Sequence, residues 1–200
     1  MRLFLVRHGQ IQANKDGLWH GSTDSPLTWK GRRQAKRTGR WFKRHTTFQG
    51  AYTSPLERCR NTAKFILSGQ HSPPELVVAP NLAEMSIGDW EGLPFKVLHE
   101  DYGLFAKIEK DPGFVTPNGE SLTSVGARVA AALQNIMQQH EPGQNILITS
   151  HGVAMSAGLS VLFDEAVTSW RDYRLANCSI TEIQFEQRPL LVAVNQTFHL

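Results

Sequence analysis

The sequence predicts an α/β fold: a three-layer α/β/α sandwich with a mainly parallel central sheet and a small lid inserted after the fourth strand. Three observations predict it. Short apolar runs alternate with amphipathic stretches of helical length. Two of those runs, LFLVRHG (3–9) and NILITSHG (145–152), end in the same His-Gly pair. Residues 84–120 lose the alternation. The 200 residues fit a single domain, 1–200, and 40% hydrophobic content supplies a core.

Arg2–Arg7 is a short apolar run that meets a glycine, as a buried parallel strand does. Thr28 or a neighbour can cap a helix running to about His45. Within it Arg33, Lys36, Arg37, Arg40 and Arg44 share one face, and Ala35, Trp41 and Phe42 turn toward the core. Residues 50–53 form a strand. Ser54-Pro55 then reads as the cap and first residue of a helix to Leu67. Residues 76–78 are a further short apolar run. Residues of about 85–120, broken by Pro94, Pro112-Gly113 and Pro117-Asn118, read as a lid over a site. Residues 121–140 form a long helix with Leu122, Val125, Val129, Ala132, Leu133 and Ile136 on one side. A strand at 145–149 precedes a helix at 152–162, and 179–185 and 190–194 pair as an antiparallel hairpin.

The net charge of +3 hides an asymmetry, because residues 1–60 carry 13 Lys/Arg against 3 Asp/Glu. Most of that excess lies at 30–44. It reads first as a solvated helix face, and nucleic-acid binding through it is the lesser reading, marked by strong salt dependence. No apolar run approaches the ~18 residues that span a bilayer. The N-terminal run is also too short for a signal-peptide core, so a cytoplasmic location is expected. Cys59 and Cys178 make no disulfide framework.

Ligands of open parallel sheets bind at the carboxyl ends of strands, where both His8 and His151 fall. The sequence has no HExxH, no paired-Cys zinc spacing, no phosphate-cradling GxxxxGK[ST] and no Gly-x-Ser-x-Gly elbow. Histidine, arginine and carboxylate remain, a set that suits anionic phosphate without a metal or cofactor.

These residues fall into a larger ordered set. It comprises Arg7-His8-Gly9 with Asn14, residues 21–28 (GSTDSPLT), Ser54-Pro55-Leu56 with Arg58, and Glu84 before 88–92 (GDWEG). Asn118-Gly119-Glu120-Ser121, Ser150-His151-Gly152 and the 195–200 tail complete it. In this order the set resembles the histidine phosphatase superfamily, which includes phosphoglycerate mutases. The resemblance implies His8 as the nucleophile, becoming phosphohistidine. It implies Arg7, Arg58 and His151 around the phosphoryl oxygens and Glu84 as proton donor. Asn14, Gly21, Ser22 and Gly152 would contact phosphate or substrate. Ile11 stands where the family commonly has Thr or Ser, and Cys59 where alanine is frequent. Cys59 is expected to be buried and inert rather than activated by Arg58.

The implied reaction is hydrolysis of a small phosphorylated metabolite, releasing inorganic phosphate. Only about 35 residues separate Glu84 from Ser121, which favours hydrolysis over a mutase-like transfer. The N-terminal third looks much like α-ribazole-5′-phosphate phosphatases of cobalamin assembly, and generic small-metabolite phosphatases, including phosphoserine-type ones, share the same motifs and the closing tail. A non-catalytic phospho-ligand-binding module is the reading from another class, and it predicts loss of a core residue that this sequence retains. Trp90 reads as lid packing. His20, His45, His71, His99, His140 and His199 read as structural or solvent-exposed.

Overall fold

The computed structural model describes residues 1–200. In chain order the elements are β1 (Arg2–Arg7), α1 (Gln12–Asp16), α2 (Trp29–His45), β2 (Gly50–Thr53), α3 (Glu57–Leu67) and β3 (Leu76–Val78). There follow α4 (Phe95–Glu100), α5 (Leu104–Lys110), α6 (Leu122–Gln138), β4 (Asn145–Ser150), α7 (Gly152–Asp164), β5 (Ile180–Phe185) and β6 (Pro189–Gln196). One six-stranded sheet runs in the order β3-β2-β4-β1-β5-β6. The first four are parallel neighbours, and the β5–β6 hairpin adds two antiparallel strands.

The pleat explains the three layers. Successive strand side chains point to opposite faces. Leu3, Leu5, Ile146 and Ile148 therefore join α6 and α7 in one core, with Leu122, Val129 and Leu159. Phe4, Val6, Ala51 and Leu147 face α2 and α3 instead, against Phe42, Ile66 and Leu67. Phe4 meets Phe42 edge-on at 5.4 Å, a favourable aromatic geometry. Thr28 caps α2 by accepting from Gly31 N–H at 3.0 Å. The cations of α2 make no ion pair, and its basic face is solvated.

Three expectations need correction. The 85–120 segment follows the third strand in chain order, not the fourth, because the second His-Gly strand is itself β4. That segment is also not wholly irregular: α4 and α5 form within it, burying Leu98, Leu104 and Ile108. Helix α3 begins at Glu57 rather than at Ser54-Pro55. The carboxylate of Asp24 accepts from the N–H groups of Glu57 and Arg58, supplying a cap from a distant loop.

Parallel pairing of β1 with β4 places Arg7 opposite Ser150. The two His-Gly turns thus leave adjacent strands at the same end, joined by His8 N–H donating to Ser150 O at 3.0 Å.

Candidate active site

His8 is held by the backbone around it. The turn after β1 presses on the start of α2, where a Cβ on Gly9 would stand 2.6 Å from Gly31 O. Only glycine allows that approach. The His8 ring is buried, and its Nδ1 lies 2.8 Å from Gly9 O. A carbonyl only accepts, so Nδ1 carries the hydrogen and Nε2 keeps its lone pair. Burial, then the charges of Arg7 and Arg58, hold the His8 pKa well below the ordinary histidine value. His8 is therefore a neutral base with Nε2 as its free atom.

Five residues singled out by sequence meet around one cavity of about 230 Å³: Arg7, His8, Asn14, Glu84 and Gly152. Arg7 donates from Nη1 to Leu175 O at 2.7 Å, while its buried Nε has no partner. Asn14 Oδ1 accepts from Ile11 N–H and from Asn177 Nδ2, so its amide nitrogen is the group left to offer. Glu84 closes the N-terminus of α7. Its Oε1 accepts from Ala154 N–H at 2.8 Å and Met85 N–H at 2.9 Å. Its Oε2 makes only a 3.3 Å contact with Val153 N–H, so this oxygen is the freer of the two. Gly152 opens α7 beside the guanidinium, where a Cβ would come within 3.3 Å of Arg7 Cζ. Together these groups present a fixed positive field to an anion, with one carboxylate at its edge.

Arg58 and His151 lie behind His8 rather than on the cavity wall. The Arg58 guanidinium is fully buried and its donors are spent. Nε donates to His151 Nδ1 at 3.3 Å, Nη1 to Thr23 O at 2.8 Å, and Nη2 to Gly21 O at 2.7 Å and His20 O at 3.2 Å. Because arginine only donates, His151 Nδ1 is bare, and its Nε2–H donates to Ser54 Oγ at 2.7 Å. Burial and Arg58 hold the His151 pKa well below the ordinary value too. The rings of His8 and His151 stand 5.2 Å apart. Gly21 and Ser22 do not line the cavity. Ser22 N–H is taken by Glu91 at 2.7 Å, and Gly21 gives its carbonyl to Arg58.

His20 and Arg128 escaped the sequence reading, as did the tie that Glu91 of the 88–92 motif makes. His20 lines the cavity with a buried Nδ1 that has no partner, contrary to its reading as structural or exposed. Its position just before the 21–28 motif was the available signal. Glu91 ties the 85–120 segment to the loop at 22–23, and hydrogen bonds from Thr23, Ser22 and Ser86 outweigh its burial, lowering its pKa. Arg128 grips Glu120 with two bonds of 2.9 Å and donates to the carbonyls of Asn81, Ala83 and Glu84. It thereby fixes the backbone that carries Glu84. Burial pushes the Cys59 thiol up, and that of Cys178 up to about 12, so both stay thiols. Trp90 packs on Tyr102 at 4.7 Å, as expected of a packing residue.

Comparison with known proteins gives a consistent result. A family model described as histidine phosphatase superfamily (branch 1) matches residues 3–197. The chain is 37% identical over 177 residues to an adenosylcobalamin/alpha-ribazole phosphatase of Salmonella typhimurium, covering 88% of this chain and 86% of that one. It is 32% identical over 195 residues to a protein named probable phosphoglycerate mutase GpmB of Cronobacter sakazakii, covering 96% and 89%. Among solved structures, phosphoserine phosphatase of Entamoeba histolytica in complex with 3-phosphoglyceric acid superposes with a TM-score of 0.87. The identity is 29%, covering 99% of this chain and 98% of that one. No helix is long and apolar enough to cross a membrane.

Proposed function

Because the chain belongs to branch 1 of the histidine phosphatase superfamily and is a phosphoric monoester hydrolase, we propose that His8 is its nucleophile and Glu84 its proton carrier. The observation that carries this reading is the His8 ring: buried, neutral, fixed by Gly9 O through Nδ1, with Nε2 free beside Arg7. Nε2 attacks phosphorus, and the bond to the leaving oxygen breaks as Glu84, which enters the cycle protonated on Oε2, gives that oxygen its proton. The alcohol departs. Water then attacks the phosphohistidine, Glu84 takes the water's proton, and inorganic phosphate leaves with His8 neutral again.

The unpartnered Nε of Arg7 and the free amide of Asn14 hold the phosphoryl oxygens, with the N-terminus of α7 adding its partial charge. Arg58 contributes its charge, felt by His8, while its hydrogen bonds hold the 20–24 loop. His151 has one donor, the Nε2–H it shares with Ser54, to turn toward a bound phosphoryl group. The 85–120 segment acts as the lid, bringing Phe95 to the cavity wall. The short span from Glu84 to Ser121 favours transfer to water over transfer back to the substrate. Phosphate release from phosphoserine, α-ribazole phosphate and 3-phosphoglycerate tests the reading: turnover of at least one of these by the protein and by no His8→Ala sample supports it. Hydrolysis surviving in His8→Ala overturns it.

A further inference from the structure

Beside the His8 cavity lies a second hollow of about 490 Å³, and the two share Trp19, Phe95, Val153, Trp170 and Arg174. They adjoin along an aromatic wall: the Trp19 ring lies 5.5 Å from Phe95 and 6.1 Å from Phe105. At the outer end the Arg171 guanidinium sits 4.8 Å from the Trp170 ring centre. Six buried side-chain polar atoms in the protein lack a hydrogen-bond partner, and three belong to residues lining these two hollows. Arg7 Nε and His20 Nδ1 are at the inner end, and Arg171 Nε is at the outer end. A buried donor without an acceptor is costly, and one on the wall of a hollow can be satisfied by an acceptor that a ligand brings. The inner pair suits the phosphoryl group. The outer one is separate and needs a second acceptor. Glu109 engages Arg171 only through Nη2, at 2.7 Å, and the neighbouring Arg174 makes no ion pair at all.

We infer that the outer hollow is a leaving-group subsite for a flat aromatic body that carries an oxyanion at its far end. The aromatic wall takes the body, and Arg171 and Arg174 read the oxyanion. The inference rests on the phosphatase reading and narrows it to two-ended phosphomonoesters. A small, purely aliphatic phosphate leaves both the wall and the outer arginines unused.

The test compares kcat/KM for ethyl phosphate, 3-phenylpropyl phosphate and 3-(4-carboxyphenyl)propyl phosphate, whose leaving alkoxides are similarly basic. The aromatic body should gain about tenfold or more over ethyl, as burial of a phenyl group implies. The carboxylate should add about 1.4- to fivefold, the range for a partly exposed ion pair. In Arg174→Gln the ratio between the last two esters should fall toward one. The same ratio in the unaltered protein should shrink with added salt, which decides the point if the variant does not fold. Equal kcat/KM for all three esters overturns the subsite while leaving the phosphatase reading in place. An aromatic gain without a carboxylate gain overturns its anionic end. If none of these three esters is hydrolysed, calorimetric Kd values for them decide the subsite, with equal values overturning it, while the phosphatase reading is decided separately by phosphoserine, α-ribazole phosphate and 3-phosphoglycerate.

Discussion

Replacing Arg58 with lysine separates holding a loop from merely supplying a charge. The guanidinium satisfies four acceptors at 3.3 Å or less: His151 Nδ1 and the carbonyls of Thr23, Gly21 and His20. An ammonium is a single point with three donors and no planar fork. At least one acceptor then goes unmet, and those at Gly21 and His151 are buried. An unmet buried acceptor costs about 1–3 kcal/mol. For a protein of this size that lowers Tm by roughly 2–12 °C. The loss should appear without any ligand, in calorimetry of Arg58→Lys against the parent. Catalysis should fall as well, because the loop that places His20 loosens, with a loss of up to the roughly 10²–10³-fold that removal of one charge-stabilising donor costs. A variant with full ligand-free stability and a purely catalytic defect would refute the loop-holding role and leave Arg58 as a direct phosphoryl ligand only.

Glu84→Gln should slow release of the alcohol from alkyl phosphates by about 10²–10⁴-fold in single turnover, and hardly slow release of p-nitrophenol, which leaves without a proton; equal losses on both would assign Glu84 an electrostatic role. Arg128→Gln removes the bidentate hold on Glu120 and the bonds to the 81–84 backbone, so it should lower kcat on alkyl phosphates more than on p-nitrophenyl phosphate. Uniform loss on both would make Arg128 purely structural. The lowered pKa values of His8 and His151 mean that, below about pH 6.5, the unfolded chain binds protons the folded one refuses. Stability should therefore be full above that pH and fall as pH drops below it, by up to about 1.4 kcal/mol per unit for each ring. Urea unfolding at pH 7.5 and 5.5 measures this, and His8→Gln should flatten the slope. Turnover should persist in chelator and be blocked by vanadate, which mimics the trigonal-bipyramidal transition state; loss in chelator restored by one specific ion would contradict that.

The parts of this protein legible in its sequence are those written in local pattern. LFLVRHG and NILITSHG announced two buried strands, and their shared ending placed His8 and His151 at one end of the sheet before any pairing was known. Thr28 marked the start of α2 because a cap lies beside the helix it caps. The start of α3 was not legible, since its cap, Asp24, lies 33 residues upstream of Glu57. Nor were α4 and α5, helices of six and seven residues that are too short to display a period. In the site, His8, Arg7, Arg58 and Glu84 were legible as members of the ordered motifs, but what Arg58 and Arg128 hold is mainly backbone carbonyls, which every residue has. Their work on the 20–24 and 81–84 loops was therefore invisible, as was the cavity-facing position of His20 that the first of those loops sets.

The central claim is that the phosphoryl group passes through His8 Nε2, and a rapid quench during turnover of a phosphomonoester labelled at phosphorus tests it most directly. The protein should carry label that survives alkali and is lost in acid, as a phosphoramidate does. Peptide mapping should place that label on His8, and His8→Ala should carry none. Label on another residue, or steady hydrolysis by His8→Ala, would contradict the account.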